Sequence, residues 1–125
     1  MVKYTVHNMT PGRFEHTLEV RRDGVQIASI EALHNVVTGI SGKPDKGFVK
    51  EYGHSPAIEL ILHLAQIVGK NQRLYGWSVR PAAVATLRRM EKLRLASIER
   101  SGDRHFYIAT SRKPKLPLTK VTKND

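Results

Sequence analysis

The stretch "SPAIELILHLAQIVGK", residues 55–70, constrains the fold of this chain more than any other. Ser55 is a good N-cap and proline is favoured at the first helical position, so we predict a helix over 56–69. Its apolar side chains form two faces: Ile58, Ile61, Leu62, Ala65 and Val68 on one, and Leu60, Leu64 and Ile67 on the other. The thin polar stripe of Glu59, His63, Gln66 and Lys70 is expected to face solvent. The alternative is that Glu59 and His63, which are four residues apart, form a pair. A helix this apolar must lie at the centre of the core or in a homodimer interface.

Residues 1–50 have the pattern of a segment that mixes strands with a helix. Val2, Tyr4 and Val6 alternate, which predicts a strand. Leu18 and Val20 alternate before Asp23-Gly24, and Val25 and Ile27 alternate after it. Asp-Gly is favoured in type I′ turns, so this pattern predicts a β-hairpin. After Ser29, apolar residues at 30, 33, 37 and 40 recur at helical spacing and predict a helix over 30–40. The "SGKPDKG" loop that follows is the predicted boundary of this segment.

The basic charge of the chain lies entirely in its second half. The net charge is +10 and the isoelectric point is near 10.2. Residues 1–69 contain 7 Lys/Arg and 7 Asp/Glu, whereas residues 70–125 contain 14 Lys/Arg and 4 Asp/Glu. A segregated basic half is typical of proteins that bind a phosphate backbone. A basic solubilising tail and an acidic protein partner are the alternative interpretations.

The stretch "LRRMEKLRLASIERSGDRHFYIAT", residues 87–110, combines a cationic helix with a hairpin. Pro81 is well placed to begin the helix, with Val84, Leu87 and Met90 facing inward. The basic side chains expected on the opposite side are Arg80, Arg88, Arg89 and Lys92. Two strands flank the turn at residues 101–103, and the candidate contacts there are Arg100, Arg104 and His105. Phe106 and Tyr107 occupy alternate strand positions, so at least one of them is expected in the core.

This helix and hairpin resemble the recognition helix and wing of winged-helix DNA-binding proteins, in particular small regulators of the ArsR and MarR type. Leu87, Met90-Glu91 and Leu95-Ala96 occupy the places of the family pattern, and "GDRHFY" looks like a basic, aromatic wing. Arg94 departs from the pattern, because these families usually have Gly at the helix end. The interval between residues 69 and 80 leaves little room for the usual second helix. Residues 1–50 match no winged-helix family.

The resemblance implies an α+β fold, in which an N-terminal β-hairpin and helix precede a winged-helix-like helix-helix-β-hairpin unit. The expected division is an N-terminal segment over 1–50, a DNA-binding unit over 54–111 and a mobile basic tail over 112–125. The function predicted from charge and resemblance is binding of double-stranded DNA, as a small transcriptional regulator or accessory factor. The first alternative is a small viral or mobile-element protein that binds a protein of a nucleic-acid machine. The second is an RNA-binding protein.

Other classes of function have little support in the sequence. There are no cysteines, and the six histidines form no ligand pair at metal-binding spacing, so we expect no metal site. No phosphate-binding glycine loop, nucleophile motif or cluster of acids is present, which argues against an enzyme or a bound cofactor. No apolar run reaches the roughly 20 residues of a membrane span, and the N-terminus has no apolar signal-peptide core. A cytoplasmic location is therefore expected.

Overall fold

The structure is a computed structural model that describes residues 1–9, 15–69, 72–77, 80–102 and 104–120, with Trp77 and Lys120 described by their backbone alone. The described residues form eight strands and three helices. In chain order they are β1 (Tyr4–Asn8), β2 (His16–Arg22), β3 (Val25–Leu33), β4 (Val36–Gly42), α1 (Lys46–Tyr52), α2 (Pro56–Val68), β5 (Leu74–Trp77), α3 (Pro81–Lys92), β6 (Ser97–Ser101), β7 (His105–Ala109) and β8 (Leu118–Lys120). All strands join one sheet in the order β6-β7-β5-β4-β3-β2-β1-β8. Neighbouring strands are antiparallel except at β4–β5 and β1–β8, which are parallel.

The two hairpins predicted from turn residues are confirmed. Strands β2 and β3 are joined by Asp23-Gly24, with φ of 49° and 84°, the two positive values that a type I′ turn requires. Strands β6 and β7 flank the predicted turn after Ser101. On β7, Phe106 is the core residue and is 5% exposed, while Tyr107 lies on the opposite face of the strand. Asp103 lies outside the described residues.

The helix predicted over 30–40 is wrong, because this segment forms β3 and β4 with a turn at His34-Asn35. Ala28, Ile30 and Ala32 alternate inward and are buried. The spacing of residues 30, 33, 37 and 40 was misleading, because Leu33 is exposed and the alternation of 28, 30 and 32 is what reflects the strand. Strand β3 pairs with β2 on one side and with β4 on the other. This pairing directs every second residue of β3 into the core. Long-range strand pairing therefore decided the conformation.

Helix α2 is confirmed, and it lies at the centre of the protein. The Ser55 hydroxyl accepts a hydrogen bond from the Ile58 N–H at 3.3 Å, and Pro56 occupies the first helical position. Seven successive residues, 58–64, are buried. Strands β2, β3 and β4 cover one side of the helix, and α3 also contacts it. The backbone of residues 115 and 116 reaches Glu59 from a further direction. A central position in the core thus accounts for the two apolar faces except at Ile67, which is exposed near the end of the helix.

The predicted winged-helix fold class is wrong, since the chain forms a mixed eight-stranded sheet with three helices among the described residues. Where a winged helix would have a second helix, this chain has the short strand β5. Leu74 of β5 is buried opposite Ile108 of β7, so the interval is used to extend the sheet. The division into residues 1–50, 54–111 and 112–125 stays a prediction. The sheet contains strands from all three segments, including β8 from the segment expected to be a mobile tail.

Candidate nucleic-acid interface

Helix α3 carries most of the predicted contacts, and its two ends are formed differently. Arg80 is the N-cap residue and makes no side-chain capping hydrogen bond, while Pro81 begins the helix as predicted. At the other end, the N–H of Arg94 donates to the Glu91 carbonyl and that of Leu95 donates to the Met90 carbonyl, both at 2.9 Å. These two bonds form a Schellman motif, which requires a left-handed residue. Arg94 supplies it with φ of 57°.

The solvent side of α3 presents a cluster of cations that are not held in ion pairs. Leu87 and Met90 are buried, whereas Arg88, Arg89 and Lys92 are exposed beside the uncharged surface of Pro81, Val84 and Ala85. Within the described ranges, none of the three cations has a carboxylate at ion-pair distance. Three arginines elsewhere in the described residues are paired with carboxylates. The pairs are Arg21–Glu19 at 2.7 Å, Arg22–Asp45 at 3.4 Å and Arg73–Glu99 at 2.5 Å.

The hairpin divides its predicted contacts between two faces of the sheet. Phe106 and Ile108 point inward, where they share a cavity wall with Leu87 of α3. Arg100 lies on this inward side, with its guanidinium 5.9 Å from the centre of the Phe106 ring, and remains exposed. Arg104 is exposed next to the turn. His105 lies on the outward face, because successive strand residues alternate.

The structure therefore does not bring the seven predicted residues into one site. Arg88, Arg89 and Lys92 form one cluster on α3, and Arg100 is on the same side of the hairpin. His105 instead stacks on Tyr75 of β5, with ring centres 5.6 Å apart. Arg80 stands at the beginning of α3 and lines a cavity of about 350 Å³ between α3, β4, β5 and β7. The walls of this cavity are mainly apolar, with threonines at 38 and 86.

Sequence reasoning missed an aromatic cluster on the outward face, formed by Arg73, Tyr75, His105 and Tyr107. The Tyr75 and Tyr107 rings are 5.1 Å apart, and the Arg73 guanidinium lies 4.6 Å from the centre of the Tyr107 ring. The alternation of Leu74 and Tyr75 is the signal that could have placed Tyr75 on this face. Four residues between a turn and a proline are too few for that signal to be distinguished from a loop.

Among the described members of the predicted polar stripe of α2, Gln66 is exposed as predicted, but Glu59 and His63 are not. Glu59 is 0% exposed and His63 is 4% exposed. The Glu59 carboxylate accepts a hydrogen bond from His54 Nε2 at 2.8 Å, and His63 Nε2 lies 3.5 Å away at ion-pair distance. The backbone N–H groups of Lys115 and Leu116 donate to the same carboxylate at 3.0 and 2.7 Å. Lys70, the last member of the predicted stripe, lies outside the described residues.

These contacts determine the charge state of Glu59. Burial raises the pKa of a carboxyl group, but the bonds from His54 and the two amides, with the nearby His63, lower the pKa of Glu59 to about 2. Through these hydrogen bonds the ionised carboxylate connects the backbone of residues 115 and 116 to the central helix. Glu59 is fully buried and its carboxylate is occupied by these donors, so its contacts stabilise the fold.

The described part of the chain contains no helix long and apolar enough to cross a membrane. It also contains no group of three or more His, Asp or Glu side chains arranged to hold a metal ion. No protein-family model, curated protein or solved structure matches the chain.

Proposed function

We propose that the protein binds double-stranded DNA through the basic side of α3 and the adjoining hairpin. The observation that carries this proposal is the group of exposed, unpaired cations at Arg88, Arg89 and Lys92. A protein that needed charge only for solubility would gain as much from cations dispersed over its surface. Leaving three neighbouring cations without carboxylates is favourable where an external polyanion neutralises them.

The dimensions of the helix suit this function. An α-helix with its side chains is about 10–12 Å across, and the major groove of B-DNA is about 12 Å wide. Arginine can make bidentate contacts to guanine or to phosphate, so the same cluster can read bases or hold the backbone. Arg100 lies on the same side of the hairpin, and Arg104 at its turn can extend the contact to neighbouring phosphates. These contacts need no winged-helix fold.

We also propose the biological role expected from the charge pattern: the protein is a small regulator or accessory factor that binds DNA and catalyses no reaction. The cytoplasm is the compartment proposed for it, consistent with a chain that has no cysteines.

Charge-matched variants test the proposal. In the first variant Arg88, Arg89 and Lys92 become alanine. In the control, the exposed lysines 43, 46 and 50 near α1 become alanine, which removes the same charge from the other half of the chain. Affinity for a labelled 20-base-pair duplex is measured by fluorescence anisotropy over a range of salt concentrations. We expect the α3 variant to lower the salt slope by about 3, at about 0.9 per lost phosphate contact, and the control to leave it unchanged.

Equal losses in both variants would contradict the α3 assignment, because they would show a response to net charge alone. A wild-type protein that does not retard duplex DNA at low salt would overturn the proposal. An A-form RNA duplex that displaces DNA at equal concentration would move the function to RNA. Retention of a lysate protein after nuclease treatment, with no DNA binding, would favour the protein-partner alternative.

A further inference from the structure

We propose that the outward face of β5, β7 and β6 is a second binding surface, on which unpaired bases of single-stranded nucleic acid stack. The face consists of Arg73, Tyr75, His105 and Tyr107, and we call it the aromatic face. It rests on the proposed function only in taking nucleic acid as the ligand. It does not share residues with the cationic cluster on α3.

The four side chains form a continuous row of planar groups. His105 stacks on Tyr75 with an angle of 24° between the rings, and Tyr75 is in turn 5.1 Å from Tyr107. The Arg73 guanidinium then covers Tyr107 at 4.6 Å. A hydrogen bond between the Tyr75 hydroxyl and His105 Nδ1 joins two of the rings. Rings held in this way lose little conformational freedom when a base packs against them.

Among the described residues no helix covers the aromatic face, because α2 and α3 lie on the other side of these strands. Leu87 of α3 and Ile61 of α2 line the cavity against the inward residues Phe106 and Ile108. On the outward side His105 is exposed, and Tyr75 and Tyr107 are half-buried by each other and by their neighbours. On the adjoining strand β6, the outward positions 97 and 101 are exposed serines, which are too short to cover the rings.

The charge near the aromatic face favours a nucleic acid over an apolar or basic partner. Glu99 is the outward acid of β6, and Arg73 offsets its charge at 2.5 Å. Arg104 adds an exposed cation beside His105. Because the cations of α3 and Arg100 lie on the other side of these strands, Arg104 is the cation that gives the described surroundings of this face a net positive charge. Proteins that bind single strands combine cationic groups with aromatic rings, since every base has a face that can stack.

The inference predicts that affinity depends on bases and not only on phosphates. Two labelled oligonucleotides separate these contributions: a 15-nucleotide thymidine strand, and an abasic strand with the same number of phosphates. We expect the wild-type protein to bind the thymidine strand about tenfold more tightly at one fixed salt concentration. Equal affinity for the two strands would overturn the inference.

Substitutions at Tyr107 locate the effect. Tyr107→Phe keeps the aromatic ring and should keep the preference for the thymidine strand. Tyr107→Leu keeps an apolar side chain without the ring, and should reduce the preference to about twofold or less. His105→Ala, at an exposed position where folding is least affected, should reduce it in the same direction. Thermal melting of each variant identifies any loss of folding.

A preference that survives in both Tyr107→Leu and His105→Ala would overturn the inference. Affinity for duplex DNA, measured in parallel, distinguishes this result from failure of the proposed function. The aromatic variants should bind duplex DNA as the wild type does, and the α3 variant should keep the ratio between thymidine and abasic strands. If only duplex binding is absent, the proposed function of α3 is contradicted. If only the preference for the thymidine strand over the abasic strand is absent, the inference about the aromatic face is contradicted.

Discussion

The Glu59 carboxylate accepts the backbone N–H of Leu116 at 2.7 Å, across 57 positions of the chain. The same carboxylate accepts the Lys115 N–H and is hydrogen-bonded to His54. A charged group inside the core is stable only when such bonds replace its hydration. The contact thus joins the central helix to the segment that leads into β8, the edge strand beside β1.

Glu59→Gln should lower the free energy of unfolding by about 3 kcal/mol, because it removes the charge from several strong hydrogen bonds in a closed site. It should also speed hydrogen exchange at the Leu116 amide. Urea unfolding and exchange measured by NMR give the two quantities. Glu91→Gln, at an exposed position on α3, is the matched control and should change stability by less than about 0.5 kcal/mol. A fully stable Glu59→Gln protein would show that the contact is dispensable.

Stability should fall in acid because of Glu59. Its folded-state pKa of about 2 lies below the ordinary value of 4.5. A depressed pKa stabilises the fold fully above about pH 4.5, and this contribution is lost as the pH falls toward 2. The difference corresponds to about 3 kcal/mol. Asp45, whose pKa is also lowered, acts in the same direction. Urea unfolding at several pH values should show a shallower acid dependence in Glu59→Gln than in the wild type.

Arg94→Gly should stabilise the protein by about 1 kcal/mol, because glycine adopts the left-handed conformation at the end of α3 without steric cost. The converse substitution is available at Gly53, which ends α1 with φ of 85° and has open space around its position. Gly53→Ala should cost about 1 kcal/mol. Chemical denaturation checks both values. A destabilised Arg94→Gly variant would indicate that the arginine side chain makes a compensating contact.

Leu62→Asp should unfold the protein, because Leu62 is 0% exposed on the central helix and an unpaired buried carboxylate costs several kcal/mol. Gln66→Asp introduces the same group one turn later at an exposed position, and should cost less than about 1 kcal/mol. Circular dichroism melting compares the two proteins. Wild-type melting of Leu62→Asp would contradict the central position of α2.

Base reading by α3 should be separable from phosphate binding at the hairpin. Arg88→Ala or Arg89→Ala should cost about 1–3 kcal/mol on a duplex obtained by binding selection, and much less on random DNA. Arg104→Ala should weaken both complexes similarly, because a phosphate contact does not depend on sequence. Affinities at one fixed salt concentration test this. Equal losses for all variants on both duplexes would leave α3 as a basic surface that reads no bases.

The sequence by itself determined the elements whose signals are local. Asp23-Gly24 specifies a turn through its backbone preferences, and Ser55-Pro56 specifies the beginning of α2. The apolar residues of α2 on both faces indicated burial on every side. The separation of charge between the two halves is likewise a property of the sequence alone. In each case the physical cause acts between residues close together in the chain.

The tertiary structure decided where distant segments meet. Residues 30–40 became strands because β2 pairs with β3, and β4 pairs with β3 and β5, and these hydrogen-bonding partners are contained in no local pattern. Glu59 is buried because amides more than 50 residues away satisfy its carboxylate. Tyr75 and His105 share the aromatic face because β5 pairs with β7, which also directs His105 away from the cations of α3. These relationships arise from strand pairing and side-chain packing over long sequence separations, and they are fixed only when the whole sheet forms.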